Sequence, residues 1–349
     1  MSVLLRLLIF LAVVIVPAAC QEDTFIERFE EVNWIPVAHV QMPVLYTGNT
    51  QSNTVLLIVH GGPGNSSLEY LGLFERHFGE DFLLAFWDQR YSGFSKFDFT
   101  LSMTMESNIS DCHLVITEIK KRFPDKKIVL WGHHWGGAIV MGVASHPTFK
   151  DAIAGWIVVN GMVSGFEYFR SRWQFALRRS RERLAEGAAS FADTVAVLQR
   201  LEPRAGQWRQ ATQTRIDGIA NRLLYPGEPA TARELETFTT SRIRQVFPAQ
   251  RERDRARLNV AQEPNAISFS RTLYVWQPAL AEINKPGLLL WGAKDEKCPV
   301  ELLTWLSSEL RNRNKNVTIQ RYEEAWDTPF FNQPEKHALD IKAFLQTLN

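Results

Sequence analysis

Continuous apolar segments alternate with amphipathic ones along the first half of the chain. Val55–His60, Phe82–Trp87, Ile128–Trp131 and Ile153–Val159 are apolar runs whose length predicts buried strands. Between them, Met105–Phe123 has the apolar spacing of a helix and ends beside a proline. Apolar strands separated by helices indicate a parallel sheet that is covered on both faces.

The pattern changes between residues 161 and 280. This stretch has helical periodicity, Gly and Pro breaks and no convincing strand, which predicts a helical insertion. It contains 19 arginines, no lysine and 12 acidic residues, so its net charge is +7 and the remaining chain carries −6. We expect a solvated surface with ion pairs such as those available at 251–255, and anion binding is the alternative. Strands resume at Gly287–Trp291 and Val317–Tyr322, and a last helix runs from about Pro334 to Leu348.

The first twenty residues differ from the rest. Arg6 precedes the apolar run Leu7–Val16, and Pro17-Ala18-Ala19 supplies small residues near a cleavage point. This layout predicts a signal peptide at 1–19 and an exported protein, because the run is too short to span a membrane. Cys20 could instead carry the lipid anchor of a bacterial lipoprotein, although Pro17 fits that pattern poorly.

Composition bears on the expected partners of the protein and gives little information about its activity. The 349 residues are 45% hydrophobic and 22% charged, with a net charge of +1 that gives no reason to expect a nucleic-acid partner. A small molecule is the expected partner, and the oligomeric state is open. Beyond Cys20, only Cys112 and Cys298 remain, and we favour two buried thiols over a disulfide.

The segment at 132–136, G-H-H-W-G, carries the candidate chemistry. It follows the apolar strand Ile128–Trp131 and precedes an apolar helix that opens with small residues. This strand–turn–helix context is that of the G-x-S-x-G nucleophile elbow of acyl-transfer enzymes. Its middle residue is His134, so the frame is present without the attacking hydroxyl.

The H-G-G-P-G loop at 60–64 directly follows a predicted strand. Such loops present backbone N–H groups to a site at the carboxyl ends of the strands. We expect the amides of Gly62 and Trp135 to form an oxyanion hole. A plain tight turn is the alternative interpretation.

Together with the D-Q-R-Y-S-G-F-S segment at 88–95, these motifs resemble the proline iminopeptidase-like branch of the α/β hydrolases. The resemblance implies an α/β fold with an eight-stranded, mostly parallel sheet and an inserted helical cap. It divides the mature chain into core (20–160), cap (161–280) and core (281–349). Its first strands would come from Phe25–Tyr46.

The departures from the family pattern concern the catalytic residues. The resemblance places the triad aspartate at Asp295, but the position of its histidine is occupied by Asp327 in an E-A-W-D-T-P-F-F segment. Tyr91 replaces a glycine and would narrow a pocket whose walls include Phe330. His337 is expected on the outside of the last helix and therefore unable to substitute for the missing base.

His134, Asp327 and Asp295 define the functional hypotheses. Nearby carboxylates would favour a protonated His134 and push one aspartate pKa upward, giving an acid–base pair beside the oxyanion hole. We therefore predict a repurposed enzyme of elimination, cyclisation, isomerisation or non-covalent hydrolysis on a small, largely apolar molecule, with His134 hydrogen-bonded to a carboxylate. An inactive binding protein is the alternative, and residual hydrolase or peptidase activity is the third. No cofactor or metal is expected, although these three side chains form a known ligand set.

Overall fold

The computed structural model of the protein describes residues 29–38, 40–62, 64–95, 104–204, 209–223 and 276–348. The predicted signal peptide at 1–19 and Cys20 lie outside these residues, as do the arginines of 251–255. Export and lipid anchoring therefore stay predictions.

Eight strands form one sheet in the order β1-β2-β4-β3-β5-β6-β7-β8. Their bounds are β1 (Phe29–Val37), β2 (Val40–Gly48), β3 (Thr54–Val59), β4 (Leu83–Trp87), β5 (Lys127–His133), β6 (Gly155–Val159), β7 (Gly287–Gly292) and β8 (Val317–Tyr322). The β1–β2 and β2–β4 pairs are antiparallel, and all other pairs are parallel. The predicted eight-stranded, mostly parallel sheet is confirmed, including its first strands near Phe25–Tyr46.

Helices cover both faces of this sheet. Their bounds are α1 (Leu71–Phe78), α2 (Met105–Arg122), α3 (Trp135–Ala144), α4 (Gly165–Ala185), α5 (Phe191–Arg200), α6 (Gln210–Leu223), α7 (Val300–Asn312), α8 (Pro329–Asn332) and α9 (Pro334–Gln346). Apolar side chains of α2, α3 and α7 pack on one face, and those of α1 and α9 on the other. The central strands lie between two cores, which is why β3 and β4 are buried at every position.

The described part of the predicted cap is helical. Helices α4, α5 and α6 share a small apolar cluster of their own. Arg172 of α4 joins the cap to the core, because its Nη1 donates to the Glu296 carbonyl at 2.7 Å. Its Nη2 donates to Asn221 Oδ1 of α6 at 2.5 Å, a bond within the cap. Ion pairs such as Arg178–Glu182 and Arg183–Glu186 occur on its surface. The outer limits of the cap, 161 and 280, stay predictions because 224–275 lies outside the described residues.

The turn from β5 to α3 depends on close backbone approach. A Cβ added at Gly136 would lie 2.0 Å from the Val59 carbonyl oxygen, and one at Gly132 would lie 2.5 Å from the Gly136 oxygen. No L side chain fits at such distances without moving the backbone. These glycines let α3 begin directly against the ends of β3 and β5.

We predict that Gly136→Ala lowers the free energy of unfolding by at least about 3 kcal/mol, because its methyl group must displace backbone atoms of β3. Urea denaturation would measure this loss. Gly218→Ala is the matched control, since its nearest neighbour would be Arg222 Nη1 at 4.0 Å within helix α6. That change should stabilise the helix by roughly 0.5–1 kcal/mol. An unchanged urea midpoint for Gly136→Ala would contradict this account of the turn.

Candidate functional site

His134 occupies the tip of the turn between β5 and α3. Its backbone has φ 50° and ψ −110°, a conformation that costs a non-glycine residue about 1–3 kcal/mol. Three backbone hydrogen bonds hold it: its N–H donates to Val159 at 3.0 Å, and its carbonyl accepts from Gly137 at 3.1 Å and Met162 at 2.9 Å. The tertiary structure thus imposes the elbow geometry on a histidine.

The H-G-G-P-G loop faces this turn at its Gly61 end, where an added Cβ would lie 3.6 Å from the His134 Cβ. Gly62 has φ +140°, a backbone conformation available to glycine and disfavoured for other residues. Within the described ranges, no acceptor takes the Gly62 N–H. Trp135 is the first residue of α3, so its N–H lies at the helix N-terminus, where backbone N–H groups favour a negatively charged oxygen. Both amides remain candidates for an oxyanion hole.

Asp88, the first residue of the D-Q-R-Y-S-G-F-S segment, has a structural role. Its buried carboxylate accepts hydrogen bonds from the Ser66 hydroxyl at 2.9 Å, the Ser67 hydroxyl at 2.9 Å and the Ser67 N–H at 2.7 Å. The Phe94 N–H donates to its other oxygen at 2.8 Å. Gly93 has φ +50°, and a Cβ there would lie 2.0 Å from Asp88 Oδ2. Asp88 therefore joins two loops of the site, and nearby serine hydroxyls are used in doing so.

The His134 side chain does not make the expected contact. Its Nε2 is buried without a hydrogen-bond partner in the described part of the chain, and no hydrogen bond joins its ring to Asp295 or Asp327. Burial lowers the pKa of His134 to about 3, and neighbouring His133 adds to this, while the Asp327 charge opposes it. The expectation of a protonated, carboxylate-bound His134 is therefore wrong, because desolvation outweighs the attraction of the carboxylate.

Asp327 is paired with a lysine instead. Its Oδ2 accepts from Lys297 Nζ at 2.9 Å, and its backbone carbonyl accepts from the ring of His133 at 2.9 Å. Burial would raise the pKa of this carboxyl, but the Lys297 charge and His133 outweigh burial and leave the pKa below its usual range. Asp327 is an ionised carboxylate with its charge already matched.

Asp295 lies deeper and accepts three hydrogen bonds. Its Oδ1 accepts from the backbone N–H groups of Lys297 at 2.7 Å and Cys298 at 2.9 Å, and its Oδ2 accepts from Asn160 Nδ2 at 2.5 Å. Burial first, and then the Asp327 charge, raises the pKa of Asp295 to about 8 despite these donors. This is the direction of shift expected for one of two neighbouring aspartates.

Sequence reasoning missed His133, the residue before the elbow tip. Its Nδ1 lies 3.1 Å from the Tyr70 hydroxyl, and that hydroxyl accepts from the Gly61 N–H at 3.3 Å. Burial lowers the pKa of His133 to about 4. A second histidine inside the elbow motif was the available signal. Lys297, two residues after Asp295, was the corresponding signal for the Asp327 partner.

Three other predicted positions are buried. Tyr91 is 2% exposed with φ 58°, and Phe330 is fully buried, with its ring centroid 4.9 Å from that of His133. Phe330 thus supports the site from the core. The expectation that His337 lies outside the last helix is wrong: it is 1% exposed between β5, β8 and α8, and neither ring nitrogen has a partner within the described residues. Cys112 and Cys298 are both buried and free, as favoured.

The described residues contain no group of three His, Cys, Asp or Glu side chains arranged to hold a metal ion. None of their helices combines the length and the apolar character needed to cross a bilayer.

With this geometry in hand, comparison with known proteins identifies the family. The model of the family described as serine aminopeptidase, S33, matches residues 50–333, which include strands β3 to β8 and the insertion between β6 and β7. The chain belongs to the serine aminopeptidase S33 family. Its eight-stranded sheet is therefore that of an α/β hydrolase.

Individual relatives are more distant. The protein named "Probable aminopeptidase YbaC" of Bacillus subtilis is 30% identical over 111 residues, which are 31% of this chain and 35% of that relative. The proline iminopeptidase of Mycobacterium smegmatis has a TM-score of 0.61 at 14% identity, covering 91% of this chain and 98% of the other. An esterase from Exiguobacterium antarcticum has a TM-score of 0.57 at 15% identity, covering 90% and 100%. At these identities the structural likeness establishes the fold alone.

The buried histidines predict acid sensitivity. Burial lowers the pKa of His133 to about 4 and that of His134 and His337 to about 3, whereas an unfolded histidine has a pKa of about 6.5. Below about pH 6.5 the unfolded chain takes up protons that the folded one does not, so stability falls as the pH falls. Each histidine contributes a slope of roughly 1.4 kcal/mol per pH unit down to about pH 4.

His337→Phe should remove one such contribution, so the slope of unfolding free energy between about pH 6 and 4.5 should decrease by roughly 1.4 kcal/mol per unit. Urea denaturation at several pH values would measure it. Ala338→Gly on the same helix is the control, since it lowers helix stability by about 1 kcal/mol without changing proton uptake. Equal slopes in wild type and His337→Phe would refute the assignment.

Proposed function

We propose that this S33-family protein binds a small, largely apolar molecule through the oxyanion-hole frame of a hydrolase without forming an acyl-enzyme. One observation carries the proposal: the residue at the nucleophile position, His134, has no hydrogen bond to either carboxylate. A nucleophile or base at this place needs an oriented partner to exchange its proton.

The hydroxyl groups near the site support the same conclusion. Ser66 and Ser67 donate to the Asp88 carboxylate, and Ser92 Oγ accepts from the Gly64 N–H at 3.2 Å. These hydrogen bonds hold loops in place, and their partners are Asp88 and a backbone N–H group. Residual acyl-serine hydrolysis would require one of them to leave its structural role.

What remains suits recognition of an oxygen atom. The amides of Gly62 and Trp135 can donate to a carbonyl or carboxylate oxygen, and the neutral His134 ring offers one donor and one acceptor. Aminopeptidases and esterases, the activities in the relatives' names, both act on carbonyl compounds. A ligand with a carbonyl or carboxylate group would accept hydrogen bonds from these amides without being cleaved.

One observation favours a second candidate, an acid–base enzyme. Burial and the charge of Asp327 raise the pKa of Asp295 to about 8, whereas Lys297 helps to hold the pKa of Asp327 below its usual range. Two carboxyl groups whose pKa values are driven apart are the usual signature of an acid and a base. In this reaction Asp295 would give the proton and Asp327 would take one.

Turnover by wild type and by His134→Ala distinguishes the candidates. For a binding protein, both should leave aryl esters, amino-acid anilides and the molecules captured from a metabolite extract unconverted, and fluorophosphonate probes should label neither. For the acid–base enzyme, the wild type should convert one of these molecules, and His134→Ala should slow that turnover about 10²–10⁴-fold only if His134 also transfers a proton. Mass spectrometry of the captured ligand before and after incubation provides the measurement.

An Asp295→Asn variant separates the second candidate further. If Asp295 is a general acid, wild-type turnover should fall as the pH rises through about 8, and the variant should lose it altogether. Any such turnover would overturn the binding proposal. Labelling of a serine by the fluorophosphonate probe would instead establish residual hydrolase chemistry.

Restoring the missing groups should test the frame. We expect His134→Ser combined with Asp327→His to gain esterase activity and fluorophosphonate labelling at position 134. The charge of Asp327 is near enough to raise the pKa of Asp295, so a histidine at position 327 would have Asp295 as its orienting acid. Adding Lys297→Gln should increase that activity, since the ammonium group disfavours a protonated imidazole at position 327. His134→Ser alone is the matched control and should stay unlabelled. A folded, inactive triple variant would indicate that the oxyanion hole is lost.

A further inference from the structure

We infer that His133 is a positioning residue that holds together the two loops on either side of His134. Its ring contacts the Tyr70 hydroxyl through Nδ1 and the Asp327 backbone carbonyl through Nε2. Tyr70 in turn accepts from the N–H of Gly61, next to the proposed oxyanion donor Gly62. The inference does not depend on the proposed function, because it concerns the geometry of the site with or without turnover.

The direction of each hydrogen bond follows from the two backbone groups at the ends of the chain of bonds, the Asp327 carbonyl and the Gly61 N–H. The Asp327 carbonyl can only accept, so His133 Nε2 must carry a proton and donate. The ring is neutral, so Nδ1 holds a lone pair and accepts from the Tyr70 O–H. The Tyr70 oxygen then accepts from the Gly61 N–H, which can only donate. One tautomer of His133 satisfies the whole chain.

The ring has little freedom to choose another arrangement. His133 is 8% exposed, and the rings of Tyr70 and Phe330 pack edge-on against it at centroid distances of 6.1 Å and 4.9 Å. Rotating the imidazole would leave two buried polar groups without partners, at a cost comparable to a lost hydrogen bond for each. The chain of hydrogen bonds therefore defines one relative position of the loops.

The hydrogen bond from His133 attaches the Asp327 loop to the elbow, where no hydrogen bond joins His134 to Asp327. The loop after β8 carries Asp327, whose side chain bonds to Lys297 and not to the elbow. Its attachment to the elbow is the hydrogen bond to His133, 194 residues earlier in the chain. Removing that bond should release the Asp327 loop, and removing the Tyr70 bond should release the Gly61 loop.

Histidine NMR of the ¹⁵N-labelled wild-type protein tests the tautomer without any substitution. We expect His133 to show a protonated Nε2 and an unprotonated Nδ1 at neutral pH. Tyr70→Phe should shift the Nδ1 resonance, because its hydrogen-bond donor is gone, and leave Nε2 protonated. A protonated Nδ1 in the wild-type protein would overturn the inference.

Amide hydrogen exchange tests the two attachments separately. Two amides report the exchange. The Gly61 N–H donates to Tyr70, and the N–H of Trp326, the residue before Asp327, donates to the Asn332 side chain. His133→Leu should speed exchange at both at least about fivefold, as expected for a lost hydrogen bond. His133→Gln places a donor near the Nε2 position and should restore protection at Trp326, whereas His133→Asn places an acceptor near the Nδ1 position and should restore it at Gly61.

Ala338→Gly, which lowers stability elsewhere, controls for general destabilisation and should leave the ratio of the two exchange rates unchanged. If His133→Leu does not fold, Tyr70→Phe remains as a test at Gly61 alone. Exchange that is unaffected by Tyr70→Phe, or that changes equally at both reporters in the Gln and Asn variants, would show that His133 is only a buried polar residue of the core.

Discussion

The close approach of backbone segments at the turn between β5 and α3 is the constraint on which the site depends. Gly132 and Gly136 let the first turn of α3 press against the ends of β3 and β5, where an added Cβ would overlap carbonyl oxygens. The residue between them, His134, has φ 50°. The strain is independent of serine chemistry, so a histidine can inherit the position at the same backbone cost.

The residues at positions 134 and 327 differ from a catalytic triad in their pairing. A triad shares one proton among groups in contact, whereas in the described part of the chain His134 Nε2 has no hydrogen-bond partner and Asp327 is paired with Lys297. Asp295 keeps its hydrogen bonds to the loop at 297–298 and to Asn160. Asp327, at the position where the resemblance places the proton-accepting histidine, is thus a carboxylate paired with Lys297. The binding proposal follows from this pairing of Asp327 with Lys297 in place of His134.

Most of the fold could be predicted from sequence because its signals are local. Apolar runs gave the positions of the strands from β3 onwards to within a few residues, and spacing within 132–136 placed His134 at the turn. The network around His133 could not be predicted in this way, because its partners lie 63 and 194 residues away in sequence. The pKa of His134 was misjudged for a related reason: neighbouring charges can be counted in a motif, but desolvation depends on the whole packed structure. The burial of His337 could not be predicted either. The apolar face of its helix packs on the core, and one polar side chain does not reveal that it lies on that face.

The polar contacts of Asp327 indicate how such a site stays ordered without a hydrogen bond between Asp327 and His134. An ionised Asp327 without Lys297 would be a buried, unpaired charge, which destabilises a protein by several kcal/mol. Lys297 removes that penalty, and the hydrogen bond from His133 attaches the same loop to the elbow through its backbone. Side chain and main chain of Asp327 are thus stabilised by different partners, neither of which needs a proton to move. A site ordered in this way can present its amides to a ligand at constant geometry, which reduces the entropy lost on binding. Catalysis would instead require groups whose partners change during the reaction, and in the described site only the Asp295–Asp327 pair retains that property.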